Sequence, residues 1–330
     1  MPFDAFSRRR LLTAGVAALV PGLQPRQALA QPAWPTRPIR LIAPFAAGGG
    51  ADLIARTVAT RLGARLGQTI IVDNRTGAGG VIATDTVAKA TPDGHTLLFT
   101  TNSQVTSIPT TRQLPYNLLR DLVPVGQVGV TQTLVVVAKD SPLRDFREFI
   151  EAARAKPHGV SYGSAGVASY SHLAMALIGN EARVQLLHVP YKGSAPALAD
   201  LMGGVINAVL ISVASGRALL ESGRIRGIVT TGGRRSPFLP DLPSMTEVGL
   251  PGAQSELWWG LMGPAGMPRA VVTRLNQELQ GILAEPAMHE VLAREAASPT
   301  PGTPEVFGRV IATELARWTQ LVKDTGIQVE

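Results

Sequence analysis

The chain has 330 residues, 45% of them apolar, with 31 Lys and Arg against 24 Asp and Glu and no cysteine. That length supports two hydrophobic cores, and the missing cysteines exclude disulfides and thiolate metal sites. The formal charge of +7 is carried by scattered arginines that are not interleaved with aromatics, which argues against a nucleic-acid groove.

Residues 1–30 read as an export signal. Ser7-Arg8-Arg9-Arg10 is followed by an apolar run from Leu11 to Val20 and by Ala28-Leu29-Ala30. This is a basic start, a core too short to span a bilayer and a small-x-small cleavage site. The paired arginines before two leucines fit a twin-arginine signal, with a Sec signal as the competing route. Cleavage after Ala30 removes Arg8, Arg9, Arg10, Arg26 and Asp4 and lowers the net charge by 3 to +4. No later apolar run is long enough to cross a membrane, so the expected product is a soluble two-domain periplasmic protein.

Ile39 to Ala43 is a β-type run that Pro44 should stop. Gly48, Gly49 and Gly50 then permit a tight turn, and Asp52, Ile54, Ala55, Val58 and Leu62 continue at helical spacing to Leu66. A strand, a glycine turn and a helix start leave backbone N–H groups at the positive end of a helix dipole, a place for a phosphate or carboxylate. Equally, such turns close βα units that bind nothing. Nucleotide fingerprints fail, because Leu53 and Ile82 stand where Gly-x-Gly-x-x-Gly needs its third glycine and no Gly-Lys-Ser/Thr occurs.

Further along, the pattern gives a strand at 69–72, the turn Asp73 to Gly80, a helix over 81–89 and a strand at 96–100. After an irregular 101–120 come apolar runs at 123–130 and 134–138. Alternation restarts with helix 145–155, strand 160–162, helix 169–179, strand 184–189, helix 195–202, strand 208–211, helix 216–222 and strand 225–229. Residues 230–256 are rich in Gly, Pro and Ser, with a short capped helix expected at Ser244 to Glu247. A strand at 258–262 and helices at 269–284 and 304–325, the latter opened by Thr303 and Pro304, complete the chain. Strands alternating with helices predict parallel sheets whose ligand edge lies beyond the strands' carboxyl ends. Phe45 to Gly50, Asn74 to Gly80 and Thr101 to Ser103 should gather there.

A second glycine turn, Gly163-Ser164-Ala165-Gly166-Val167-Ala168, follows a strand and precedes a helix for which Ser169 and Ser171 are candidate caps. Ser164 and Ser169 could add hydroxyl donors, and two such turns facing each other would hold a dianion. An enzyme reading is weaker. Tyr162 stands where a Gly-x-Ser-x-Gly elbow around Ser164 needs its first glycine. His172 and His188 are candidate bases that more often prove structural. His95, His158, His172, His188 and His289 show no metal-ligand spacing, and Lys192 reads as a surface or anion-facing lysine rather than a Schiff base.

Four motifs occur in one order: Pro44-Phe45-Ala46-Ala47-Gly48-Gly49, Asn74 to Gly80, Pro92-Asp93-Gly94-His95-Thr96-Leu97-Leu98, and His188-Val189-Pro190-Tyr191-Lys192-Gly193-Ser194. With Pro264-Ala265-Gly266 they resemble the Bug-type extracytoplasmic solute receptors of tripartite tricarboxylate transport systems, over residues 35 to 330. The resemblance implies an α/β, two-lobed type II periplasmic-binding-protein fold. Lobe 1 is then 35–133 with 255–330, lobe 2 is 134–254, and each is a mainly parallel sheet flanked by helices. It implies a non-enzymatic, monomeric receptor without cofactor or metal, whose partners are a small organic carboxylate and membrane transporter subunits. By position, Phe45, Ala47, Gly48, Gly49 and Asn102 would line one wall of the cleft. Ser164, Ala168, Ser169, His172, Tyr191 and Ser212 would line the other. After Gly203-Gly204 this chain has Asn207 and Ile211 where the family carries acids, so ligand identity does not transfer. An α/β hydrolase or transferase and a sensor for a signalling partner remain as alternatives.

Overall fold

The computed structural model describes residues 34–107, 110 and 113–327; the expected export signal lies outside them. The first unit runs β1 (Ile39–Ala43), α1 (Gly50–Leu66), β2 (Ile70–Asn74), α2 (Val81–Ala88) and β3 (Thr96–Thr101). β1 pairs in parallel with both β2 and β3, so the ends of all three strands open on one edge.

The apolar runs at 123–130 and 134–138 form one strand, β4 (Leu122–Ala138). Polar Thr131, Gln132 and Thr133 interrupt the run in sequence, yet all three are buried. Bonds to distant segments pair their donors: the Thr133 and Thr231 hydroxyls lie 2.8 Å apart, and the Gln132 amide N–H donates to the Arg234 carbonyl. Polarity therefore makes no strand break, because the partners lie about 100 residues away in sequence.

The second unit contains α3 (Phe146–Ala155), β5 (Ser161–Ser164), α4 (Tyr170–Ala182), β6 (Leu187–Pro190), α5 (Ser194–Met202), β7 (Ala208–Ser212), α6 (Val213–Glu221) and β8 (Ile225–Thr230). β5 lies parallel between β6 and β7. The chain returns through β9 (Glu256–Pro264), α7 (Arg269–Leu283), α8 (Pro286–Arg294), β10 (Ala297–Pro299) and α9 (Pro304–Thr325). α8 and β10 were not expected, although Pro286 at a first helical position carries the signal for α8. At Ser244 to Glu247 the reciprocal capping bonds form, but only turns follow.

The chain is two-lobed around one curled sheet of order β2-β1-β3-β9-β4-β7-β5-β6, with β10 and β8 also on β4. The first half of β4 pairs antiparallel with β9 and β10, the second half with β7 and β8. Parallel pairing is thus kept within the βαβ units, while the central strands β3, β9, β4, β7 and β8 meet antiparallel. Apolar clusters cover both halves. One joins Ile54, Val58 and Leu62 of α1 to Leu275 and Leu279 of α7. Another joins Phe149 of α3 and Leu173 of α4 to Val135 of β4.

Candidate functional site

β1 ends at Ala43, and the chain turns through Gly48 (φ +88°) into α1. Asp52, 2% exposed, organises this turn. One carboxylate oxygen accepts from the Gly48 N–H (2.9 Å) and Arg56 Nε (2.8 Å), and the other from Asn74 Nδ2 (2.8 Å). Asn74 also donates to the Phe45 carbonyl at 3.0 Å and accepts from Arg56 Nη2. Burial alone would raise the Asp52 pKa, but bonds from Arg56, Gly48 and Asn74 outweigh it and hold the carboxyl below its ordinary range. Asp52 is therefore a fixed anion that consumes the Gly48 N–H.

The N–H groups of Gly49, Gly50 and Ala51 have no acceptor among the described residues, as expected at a helix start. Phe45 packs edge-on against Phe99 with ring centroids 6.3 Å apart. Ala47, Gly48 and Gly49 are exposed. Asn102 is buried and donates to the Glu256 carbonyl of β9. The turn at 77–80 reaches the same edge, since a Cβ on Gly80 would meet Pro44 and Gln104. The segments expected at the first edge do gather there.

The second turn is tied more tightly. Ser164, 1% exposed, donates to the Gly166 carbonyl, accepts from the Gly166 N–H and lies 2.6 Å from His188 Nε2. Ser169 caps α4 by accepting from the His172 N–H. Ser171 lies inside the first turn of α4, where its hydroxyl accepts from the Ala165 N–H at 3.0 Å. Ala168 takes the left-handed conformation (φ +58°) and donates to His172 Nδ1 at 3.1 Å. His172 and His188 stack face to face with centroids 3.7 Å apart. Burial lowers both to about 4, with the His188 charge a second cause for His172. The unclaimed N–H groups here are those of Val167, Tyr170 and Ser171.

Tyr191 donates through its hydroxyl to Asp200 at 2.7 Å and packs its ring on Gly163. Burial first and Asp200 second push its pKa up to about 12. Ser212 ends β7 and caps α6 by accepting from the Ser215 N–H. Ser164 and Tyr191 are joined by a backbone bond (3.1 Å), and β7 lies beside β5. Ser164, Ala168, Ser169, Tyr191 and Ser212 thus belong to one edge.

Several of these side chains shape the turns rather than point donors outward. The Ser164–His188 contact has the reach of a nucleophile and base, but the hydroxyl is committed to Gly166. No carboxylate among the described residues orients His188, and its lowered pKa makes it a poor base near neutrality. Sequence reasoning missed Asn74, Arg56 and Asp52 as a network. The four-residue spacing of Asp52 and Arg56 was its one local signal.

A family model described as "Tripartite tricarboxylate transporter family receptor" matches residues 54–327. BugT of Bordetella pertussis is 34% identical over 97% of this chain and 96% of its own. A solved R. palustris protein with adipate superposes with TM-score 0.76 at 34% identity, over 89% of this chain and 99% of that one. MatC from Rhodopseudomonas palustris with bound malate superposes with TM-score 0.73 at 29% identity, over 88% and 100%.

Proposed function

Because the chain belongs to the tripartite tricarboxylate transporter receptor family, we propose that this solute receptor closes its two lobes on a small organic carboxylate in the periplasm. It then presents that ligand to the membrane subunits of a transporter. Among the described residues no helix is long and apolar enough to cross a membrane. The observation that carries the reading is the pair of turns at 44–50 and 164–169. Each ends a strand of a parallel pair, opens a helix and leaves at least three backbone N–H groups without acceptors among the described residues.

Neutral donors of this kind hold a carboxylate without an arginine, provided both lips reach it and exclude water. Lobe 1 is assigned to 35–133 with 255–330 and lobe 2 to 134–254, so that β4 and β9 carry the chain across. The ligand-facing set comprises Phe45, Ala47, Gly48, Gly49 and Asn102 on lobe 1. On lobe 2 it comprises Ser164, Ala168, Ser169, His172, Tyr191 and Ser212, with the Ser164 and His172 side chains acting through the backbone they hold. The relatives solved with adipate and malate support a dicarboxylate as the ligand class.

A thermal-shift screen of mono-, di- and tricarboxylates tests this, since a ligand bound only by the folded chain raises stability by RT ln(1 + [L]/Kd). Stabilisation by dicarboxylates that disappears in Gly48→Val is the expected result. Turnover of a carboxylate ester, abolished by Ser164→Ala, would sink it.

A further inference from the structure

Glu295 lies where the lobes meet. It caps the end of α8, and its carbonyl and that of Ala296 both accept from the Thr131 hydroxyl at the middle of β4 (3.2 and 2.8 Å). One residue on, Ala296 packs with the apolar cluster of β7 and β8. The backbone at 295 is thereby pinned between the two halves of the sheet. Its side chain reaches the first lip: the carboxylate atoms lie 2.2–2.4 Å from where a Cβ on Gly50 would stand. They rest on the bare Cα of Gly50, and any side chain at position 50 would force them out.

This half-buried carboxylate accepts no hydrogen bond and touches no cation within 4 Å among the described residues. The positive charge that acts on it is that of Arg217 on α6, which works against the rise that burial imposes on its pKa. Asp52 beside it is saturated by three donors. Of the two acids at this turn, only Glu295 has acceptor capacity left.

We propose that Glu295 is a specificity-determining residue, whose carboxylate accepts a hydrogen bond from a hydroxyl or ammonium group of the ligand. The receptor then takes hydroxy- or amino-substituted dicarboxylates in preference to unsubstituted ones. This rests on the 44–50 turn being a ligand lip. A ligand carboxylate on the Gly49 to Ala51 N–H groups lies beside a like charge, and a neighbouring donor on the same ligand offsets that repulsion. A site with an unfilled acceptor discriminates strongly against an analogue that lacks the donor.

Isothermal titration of the exported chain with two length-matched series provides the test: succinate, malate and aspartate, and glutarate, 2-hydroxyglutarate and glutamate. In at least one series a substituted acid should bind about tenfold or more tighter than the unsubstituted one. Glu295→Gln should narrow that ratio to about threefold or less, with the folded signal unchanged by circular dichroism, since the amide brings a donor and removes the charge. An unchanged ratio in Glu295→Gln, preference for the unsubstituted acids, or binding of none of the six would overturn the assignment. Gly48→Val separates the two readings. If it binds all six normally, the lip itself is misplaced; if it loses them while Glu295→Gln keeps the wild-type ratio, only the role of Glu295 fails.

Discussion

Asp52 sets the geometry of the first turn because three donors converge on a side chain with almost no access to water. Removing it leaves the Gly48 N–H and one Asn74 amide hydrogen without an acceptor and frees the Arg56 Nε, whose side chain is 49% exposed and can turn to solvent. Asp52→Ala should therefore lose about 2–3 kcal/mol, the scale of one charged hydrogen bond plus stranded partners, read as a lower urea midpoint at unchanged slope. Ligand affinity should fall with it, because the free N–H groups that follow Gly48 lose their orientation. At Ser164 the hydroxyl holds Gly166 and His188. Ser164→Ala should accordingly destabilise the fold by about 1–3 kcal/mol, whereas a purely ligand-facing hydroxyl would leave stability untouched. The Asp52 and Arg56 pairing was legible as a helix repeat; Asn74 and Glu295 were not, since they come from distant segments.

Ala168 shows what the element α4 demands of the turn before it. At φ +58° an alanine sits where glycine is favoured, held there by the Ala168 N–H to His172 bond and the Ser169 cap. Ala168→Gly should relieve about 0.5–1 kcal/mol of backbone strain, less the unfolded-state entropy that glycine adds, so its melting temperature should stay within a few degrees of wild type. Ala168→Val should fall well below both. The stacked histidines below this turn give it a pH dependence. Both are lowered from 6.5 to about 4, so the unfolded chain binds protons first as pH falls. Their contribution is complete above about pH 6.5 and drains away between there and about pH 4, each tenfold difference in proton affinity being worth about 1.4 kcal/mol. Melting temperature followed across that window should drop, and His188→Asn should flatten the drop.

Across the whole molecule, α9 ties the halves together. Phe307 and Ile311 pack on the first half of the sheet, while Trp318 and Leu321 pack with Tyr170 and Phe149 on the second. Trp318 is fully buried, edge-on to Tyr170 and under the Arg317 guanidinium. Trp318→Ala should cost about 3–5 kcal/mol, as for other large core truncations, and weaken a second lobe that is remote in sequence. Closure of the lobes should appear as a smaller radius of gyration by small-angle scattering when a dicarboxylate is added, since only the closed state satisfies the ligand's charge. Equal radii with and without a bound ligand would count against the hinge through β4 and β9.

Strand period, glycine freedom and capping chemistry act within a few residues, and so the βαβ units, both glycine turns and the caps at Ser169 and Thr303 were legible in the chain alone. Four motifs in order also carried the family. Only folding settled that the polar Thr131 to Thr133 continue a strand, that Gly48 spends its N–H on Asp52, that Ser164 serves its own turn, and that Glu295 lies against Gly50. Each of these four depends on which group meets a donor, an acceptor or a bare Cα once the chain has folded. Residue spacing does not encode that choice: Glu295 and Gly50 stand at opposite ends of the chain and meet only because β4 and β9 bring the C-terminal segment back to the first lip.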